Sequence, residues 1–456
     1  MLHCCRETQL LFRDDRRRAV RPHRILLALV ALVVPAWTQQ PTEPVVTIQP
    51  DQQAEQRRTL PSGIWLNGIS GYAEGDLLRA PYAAGDPQLS QLWLFTSGAT
   101  GDVAAHFGRR TQFSASYLGG YSYNQRYPAQ NGAHHTVSLD LRTDPARHTV
   151  FTLSAEGDSG VMSDALFDPS YTLSVARQAS SVDQLSHGLL EDNPGSLLNS
   201  PLELAVSGGR RRSGAAYASV THSYSRRFSS YLRVTAAREM RSYSREQQVP
   251  SQYPNVTIGM ADLGLAYLLS TRTRITGTVS YTRSYSRQYG ADWQSSGLGI
   301  ERQFGRRSFG SLQAGYVRMS DPRTGGFGRS SYSMSGVLGT TKGFHTIAMT
   351  FRRGVSDLHG LGSDSSLGFD GAWSWAPHTS AWTMGSSFGY ERTQGGGFGS
   401  LQASVGQANA VRRLTAHLNM AFAFVYMRSS FSDIAGFTRA GLRVSFVWTP
   451  GLEHRR

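Results

Sequence analysis

From about Gly63 onward, apolar and polar residues alternate with a period of two, the spacing that puts successive side chains on opposite faces of a β-strand. The clearest run lies near the C-terminus, where Leu414, Ala416, Leu418, Met420, Phe422, Phe424 and Tyr426 alternate with Thr415, His417, Asn419, Ala421, Ala423 and Val425. In the same way Ile275, Gly277, Val279 and Tyr281 oppose Arg274, Thr276, Thr278, Ser280 and Thr282. Val137, Leu139 and Leu141 oppose Ser138, Asp140 and Arg142, and Leu401, Ala403 and Val405 oppose Ser400, Gln402 and Ser404. Trp382, Met384, Phe388 and Tyr390 oppose Thr383, Gly385, Gly389 and Glu391. Several runs extend for about ten to fifteen residues, longer than the five or six usual in a soluble sandwich and enough to cross a bilayer as tilted strands. The segment Asn255 to Leu269 changes phase near Ala261, and Arg238 falls on the apolar face of its strand, which predicts bulges or shifted boundaries there.

The connections sharpen this picture. Short links at Gly108-Arg109-Arg110, Ser225-Arg226-Arg227, Gly305-Arg306-Arg307, Thr341-Lys342-Gly343 and Ala376-Pro377-His378 alternate with generally longer, glycine-rich ones. Brief turns on one side and long loops on the other are the asymmetry of an outer-membrane barrel. An open sheet edge in hydrocarbon would leave backbone donors and acceptors unpaired at several kcal/mol each, so alternation of this extent requires closure. About seventeen strands can be counted back from Ala440–Trp448, and an even number calls for one more, for which Gly63 to Glu74 is the candidate. The predicted fold is all-β, a transmembrane antiparallel up-and-down β-barrel of about eighteen strands over residues 62–450, or sixteen if two weak segments are not strands.

Composition adds the export history. The first 36 residues hold seven arginines against three acids, and the short apolar run Ile25–Val34 ends at Val34-Pro35-Ala36, the pattern of a signal peptide over residues 1–36. Both cysteines, Cys4 and Cys5, precede that run, so a processed chain has no thiol for a disulfide or a thiolate metal site. Residues 37–61, rich in Gln, Pro and Glu, read as a disordered periplasmic lead, and 451–456 as a C-terminal tail. The formal charge of +14 remains basic without the leader, but its arginines are spread through strands and turns rather than gathered in a nucleic-acid-reading patch.

Leu442, Val444, Phe446 and Trp448 make an aromatic-ended final strand. With that ending the chain resembles the bacterial outer-membrane β-barrel class, porin-like in size, over about 85% of its length. The resemblance implies the cell outer membrane as location, with outer-membrane lipid, the barrel-insertion machinery and small solutes as partners. The tail after Trp448 departs from members that end on the aromatic residue.

One connection, residues 157–212, is too long for an ordinary loop. It carries Asp158, Asp164, Asp168, Asp183, Glu191 and Asp192 together with apolar stretches, and it occupies a place similar to that of the inward-folded constriction loop of general porins. Folded inward, its acids would face lumen arginines such as Arg142, Arg233, Arg241, Arg274 and Arg443, with Asp140 and Glu239 on the same wall, and set a transverse field across a narrow path. Left outside, it shields the barrel mouth or meets a partner. None of His134, His135, His222, His345, His359, His378 and His417 sits in a serine or acid constellation, adjacent histidines on a strand chelate poorly, and no metal or cofactor motif is present. The function this favours is passive diffusion of small solutes, with the arginine excess implying weak anion preference. A plugged structural or surface-binding barrel is the alternative, and a hydrolase at the barrel rim comes third.

Overall fold

The computed structural model describes residues 63–80, 90–108, 110–124, 131–161, 171–179, 181–190, 210–242, 255–286, 290–320, 329–354, 365–377, 380–394, 400–431 and 437–449. The segments expected to be signal peptide, periplasmic lead and C-terminal tail lie outside them. Strands β1 to β6 are Gly63–Ala80, Ser90–Phe107, Thr111–Tyr123, Gly132–Ala146, Thr149–Val161 and Arg210–Ser223. Strands β7 to β12 are Phe228–Ser242, Val256–Ser270, Thr273–Ser286, Gly290–Phe304, Ser308–Ser320 and Arg329–Lys342. Strands β13 to β18 are His345–Gly354, Ser365–Trp375, Trp382–Gln394, Ser400–Arg413, Leu418–Phe431 and Phe437–Trp448. Two helices, α1 (Tyr171–Gln178) and α2 (Val182–Leu190), lie between β5 and β6.

Every strand pairs antiparallel with its chain neighbours, and β1 also pairs with β18 from Gly71↔Trp448 to Arg79↔Ala440, which closes the sheet. Closure satisfies the ladder of every strand, the condition for exposing such a sheet to hydrocarbon. The candidate first strand is present and runs past Glu74 to Ala80, because Asp76 and Leu77 find partners on both β18 and β2. The five short links predicted from the sequence all fall at one end of the barrel. In three of them Gly108, Gly305 and Gly343 adopt φ of 67°, 80° and 61°, the left-handed region that a side chain would strain.

The period-two pattern sorts side chains as expected on most strands. Leu298, Val279, Leu338 and Leu232 point outward near mid-strand and are 73%, 58%, 57% and 52% exposed, an arrangement that water would penalise by about 1.5–3 kcal/mol per side chain and lipid does not. Aromatic residues flank this belt. Trp93, Phe95, Tyr121, Tyr123 and Tyr285 lie toward the long-loop end, and Phe107, Phe228, Tyr267, Phe304 and Trp448 toward the short-turn end.

Three expectations change. Strand β8 keeps an unbroken register through Ala261: Val256 and Ile258 point inward and are buried with Ala215 and Ala237, so the apparent phase change is an apolar patch on the inner wall. Arg238 does point outward, but β7 is regular around it, with Gly214 and Thr257 opposite; the arginine sits toward the long-loop end, within reach of water. On β16 Ala403 and Val405 are buried on the inner face and Gln402 points out, the reverse of the predicted facing. The register shifts that do occur, at Leu66/Gly68, Thr143/Ala146 and Leu268/Ser270, all lie near the short-turn rim. The repeated Phe-Gly-Ser-Leu-Gln-Ala at Phe309 and Phe398 falls on strands of opposite direction, with Gln313 turned in and Gln402 turned out, so it marks no duplicated unit.

Candidate functional site: the barrel lumen

Strand β5 ends at Val161 and β6 begins at Arg210, both at the long-loop end. Helices α1 and α2, from the segment between them, lie inside the barrel against β11 to β15. In a ring of eighteen strands, β14 stands opposite the β5–β6 gap, so the two helices lie against the wall far from the strands that flank them in the chain. The seat is apolar: Leu173, Ala176, Val182, Leu185 and Leu189 bury against Phe309, Ala348 and Ala372. The wall is built small where the helices press, and a Cβ at Gly385 would come within 3.1 Å of Leu173 Cδ1. Ser374 Oγ donates to the Ala176 carbonyl at 2.8 Å, and the Arg177 guanidinium donates to Asn409 Oδ1. Ser181 accepts from the Gln184 amide at 3.2 Å and so starts α2. Phe309, Ala348, Ala372, Ser374, Gly385 and Asn409 all lie within a few residues of the short-turn end of their strands, so the insert descends nearly the full height of the lumen.

The lumen wall is charged, and many of its charges are paired. Arg443 is clamped by Asp76 through two hydrogen bonds of 2.7 and 2.8 Å, with Glu74 at 3.3 Å, across the β18–β1 closure. Arg233 donates twice to Asp262 at 3.1 and 3.0 Å, and Arg274 donates to Glu301 at 2.7 Å. Arg211 faces Glu239 at 3.6 Å, and Arg352 faces Glu391 at 3.4 Å. Asp140 and Arg142 also point inward, and both remain solvent-exposed. Arg241 occupies an inward register position on β7, opposite Arg211. Three of the lumen arginines named from sequence thus have wall carboxylates on adjacent strands as partners, not the long segment. Of the acids named on that segment, Asp158 belongs to β5 and is buried on the inner face, and Asp183 lies on α2. Asp164, Asp168, Glu191 and Asp192 lie outside the described residues.

Facing divides the charge unequally. Among the described strands, Asp292 is the one carboxylate on the outer face; the other strand carboxylates, Asp102, Asp144 and Asp370 among them, face the lumen. Arginines instead divide between the two faces and the short turns. Among the described residues the basic excess therefore lies mainly outside the lumen.

Sequence reading missed a polar row near the long-loop half. Tyr72 lies flat along the inner wall over Gly98 and Gly120, and its hydroxyl meets His134 Nε2 at 2.6 Å. A Cβ on Gly98 would approach the tyrosine oxygen to 2.6 Å, so glycine is what leaves room for the ring. His135, one residue on, points outward to Tyr117 Oη at 2.8 Å, as alternation requires. The two glycines were visible in the sequence, but their alignment with Tyr72 emerges only from the register.

A closed antiparallel sheet with an even number of strands, turns short at one end and long at the other, and an apolar belt between aromatic girdles has one setting. The chain is an outer-membrane β-barrel. No protein-family model and no curated protein sequence matches it. Among solved structures it is similar to OccK2 (OpdF) of Pseudomonas aeruginosa in complex with glucuronate, at 11% identity and a TM-score of 0.43, covering 84% of this chain and 98% of that one. It is similar at the same identity, coverage and score to a BenF-like porin from Pseudomonas fluorescens Pf-5. OccAB4 of Acinetobacter baumannii has 7% identity and a TM-score of 0.41 over the same shares. These likenesses are distant.

Proposed function

We propose that the protein is a channel for passive diffusion of small solutes, narrowed by the α1–α2 insert. The observation that carries this reading is the exposure of Asp140 and Arg142. Both sit on the inner face of β4, across the ring from the β13–β15 wall that seats the insert and at a comparable depth, so solvent can reach the lumen on their side of it. Arg142, Arg233, Arg241, Arg274, Arg443, Asp140 and Glu239 are the proposed lining. Asp183 and the flanking acids of the long segment are the proposed groups on the insert side.

The arginine excess from which weak anion preference was expected lies, among the described residues, mainly outside the lumen. Paired wall charges favour near-neutral selectivity leaning toward cations. Swelling of liposomes holding the purified protein, with neutral sugars of increasing size outside, tests the reading: graded swelling supports it, and none with any sugar contradicts it. A plugged barrel is the second reading, favoured by the apolar seat that holds the insert at the short-turn end.

A further inference from the structure

The outer face carries a pattern that solute passage does not use. Arg238, Arg283, Arg318, Arg392 and Arg428 each lie ten residues after the first residue of their strand, on β7, β9, β11, β15 and β17, and Arg353 lies eight residues along β13. All six point away from the lumen, since their neighbours Glu239, Ser284, Val317, Arg352, Glu391 and Met427 face it. With about 3.4 Å per residue and a tilt near 40°, ten residues rise about 26 Å, the height of the apolar belt. Five of the arginine positions therefore line up just above the hydrocarbon on the long-loop side, two strands or about 10 Å apart, and Arg353, about 21 Å up, lies one short side-chain length below them.

From β11 to β17 the row lacks acidic partners on its own surface. Asp292 meets Arg283 at 3.5 Å, and among the described residues no carboxylate shares the outer face of β11 to β17 with Arg318, Arg353, Arg392 and Arg428. In one register row Arg353, Leu367 and Arg392 are successive partners, so two arginines flank a single apolar position. Guanidinium groups so spaced match phosphate oxygens through charge-assisted hydrogen bonds while apolar neighbours meet acyl chains.

We propose that this row is a binding site for phosphorylated glycolipid of the outer leaflet, with phosphates held by Arg318, Arg353, Arg392 and Arg428 and acyl chains lying on the belt below. The inference rests on the barrel orientation, long loops outward, and not on the channel reading. It is tested by native mass spectrometry of the purified protein with bis-phosphorylated lipid A, the same lipid after enzymatic dephosphorylation, and phosphatidylglycerol. Retention of lipid A about tenfold stronger than of either other lipid is expected, with a similar loss in the combined Arg318→Gln, Arg353→Gln, Arg392→Gln, Arg428→Gln variant. Equal retention of the dephosphorylated lipid or of phosphatidylglycerol, or undiminished binding by the variant, overturns the site. Should the variant not fold, the phosphate comparison on the unaltered protein still decides. Current through the pore is read in parallel: lost lipid preference with current intact sinks only the lipid site, and the converse sinks only the channel.

Discussion

Placing an arginine at Leu298 tests the membrane frame directly. Leu298 lies on the outer face of β10, six residues from Phe304 at the short-turn end, and is 73% exposed. At about 2.6 Å of rise per residue it sits roughly 16 Å above that end, within a few Å of the middle of a belt about 25 Å tall. An arginine there should cost about 2–4 kcal/mol, whereas Gln294→Arg, four residues higher on the same face, lies near the headgroups and should cost about 0–1 kcal/mol. The same strand already carries Arg302 low on its outer face, over the Phe304 ring at 5.8 Å. Reversible guanidinium unfolding in short-chain phospholipid vesicles, followed by the heat-dependent gel shift, measures both variants. Equal costs at the two positions, or a larger one at Gln294, would refute the assigned depth and with it the belt.

Further predictions concern the insert, the closure and selectivity. Leu173→Ala with Leu185→Ala removes two fully buried anchors; at about 3 kcal/mol each this weakens docking by several orders of magnitude, seen as larger and noisier single-channel currents. Unchanged currents would place the anchorage elsewhere. Arg443→Met leaves Asp76 and Glu74 as buried acids without their shared partner and should lower stability by about 3–5 kcal/mol, read from the same unfolding assay; the smaller Asp76→Asn change should cost less. Reversal potentials in a tenfold gradient of potassium chloride should lie close to zero on the cation side, and a clear anionic value would show that groups outside the described wall set the selectivity.

The outer face was legible because lipid imposes one requirement on every strand: apolar residues at alternate positions, as at Ile275, Val279 and Phe424. The inner face has no such uniform requirement. Water accepts Ser and Arg there, while a protein insert or a neighbouring alanine accepts Val256, Ile258 and Val405, so the face of those strands could not be read from hydropathy alone. Short turns were visible through glycine and arginine, and the inward positions of Asp140, Arg142, Arg233 and Glu239 follow from parity. Partners such as Asp262 for Arg233 or Asp76 for Arg443 depend on inter-strand register, which a single strand does not encode. The seat of α1 and α2 is hidden for the same reason: Phe309, Ala348 and Ala372 come from three strands and look ordinary on each.

The claim that a segment of the chain crosses the lumen and narrows an aqueous path is tested most directly by single-channel conductance in planar bilayers, comparing the intact protein with one lacking residues 164–199. The intact protein should carry a steady, salt-dependent current that grows in the shortened one. Equal currents from the two, with correct folding shown by the gel shift, would contradict it.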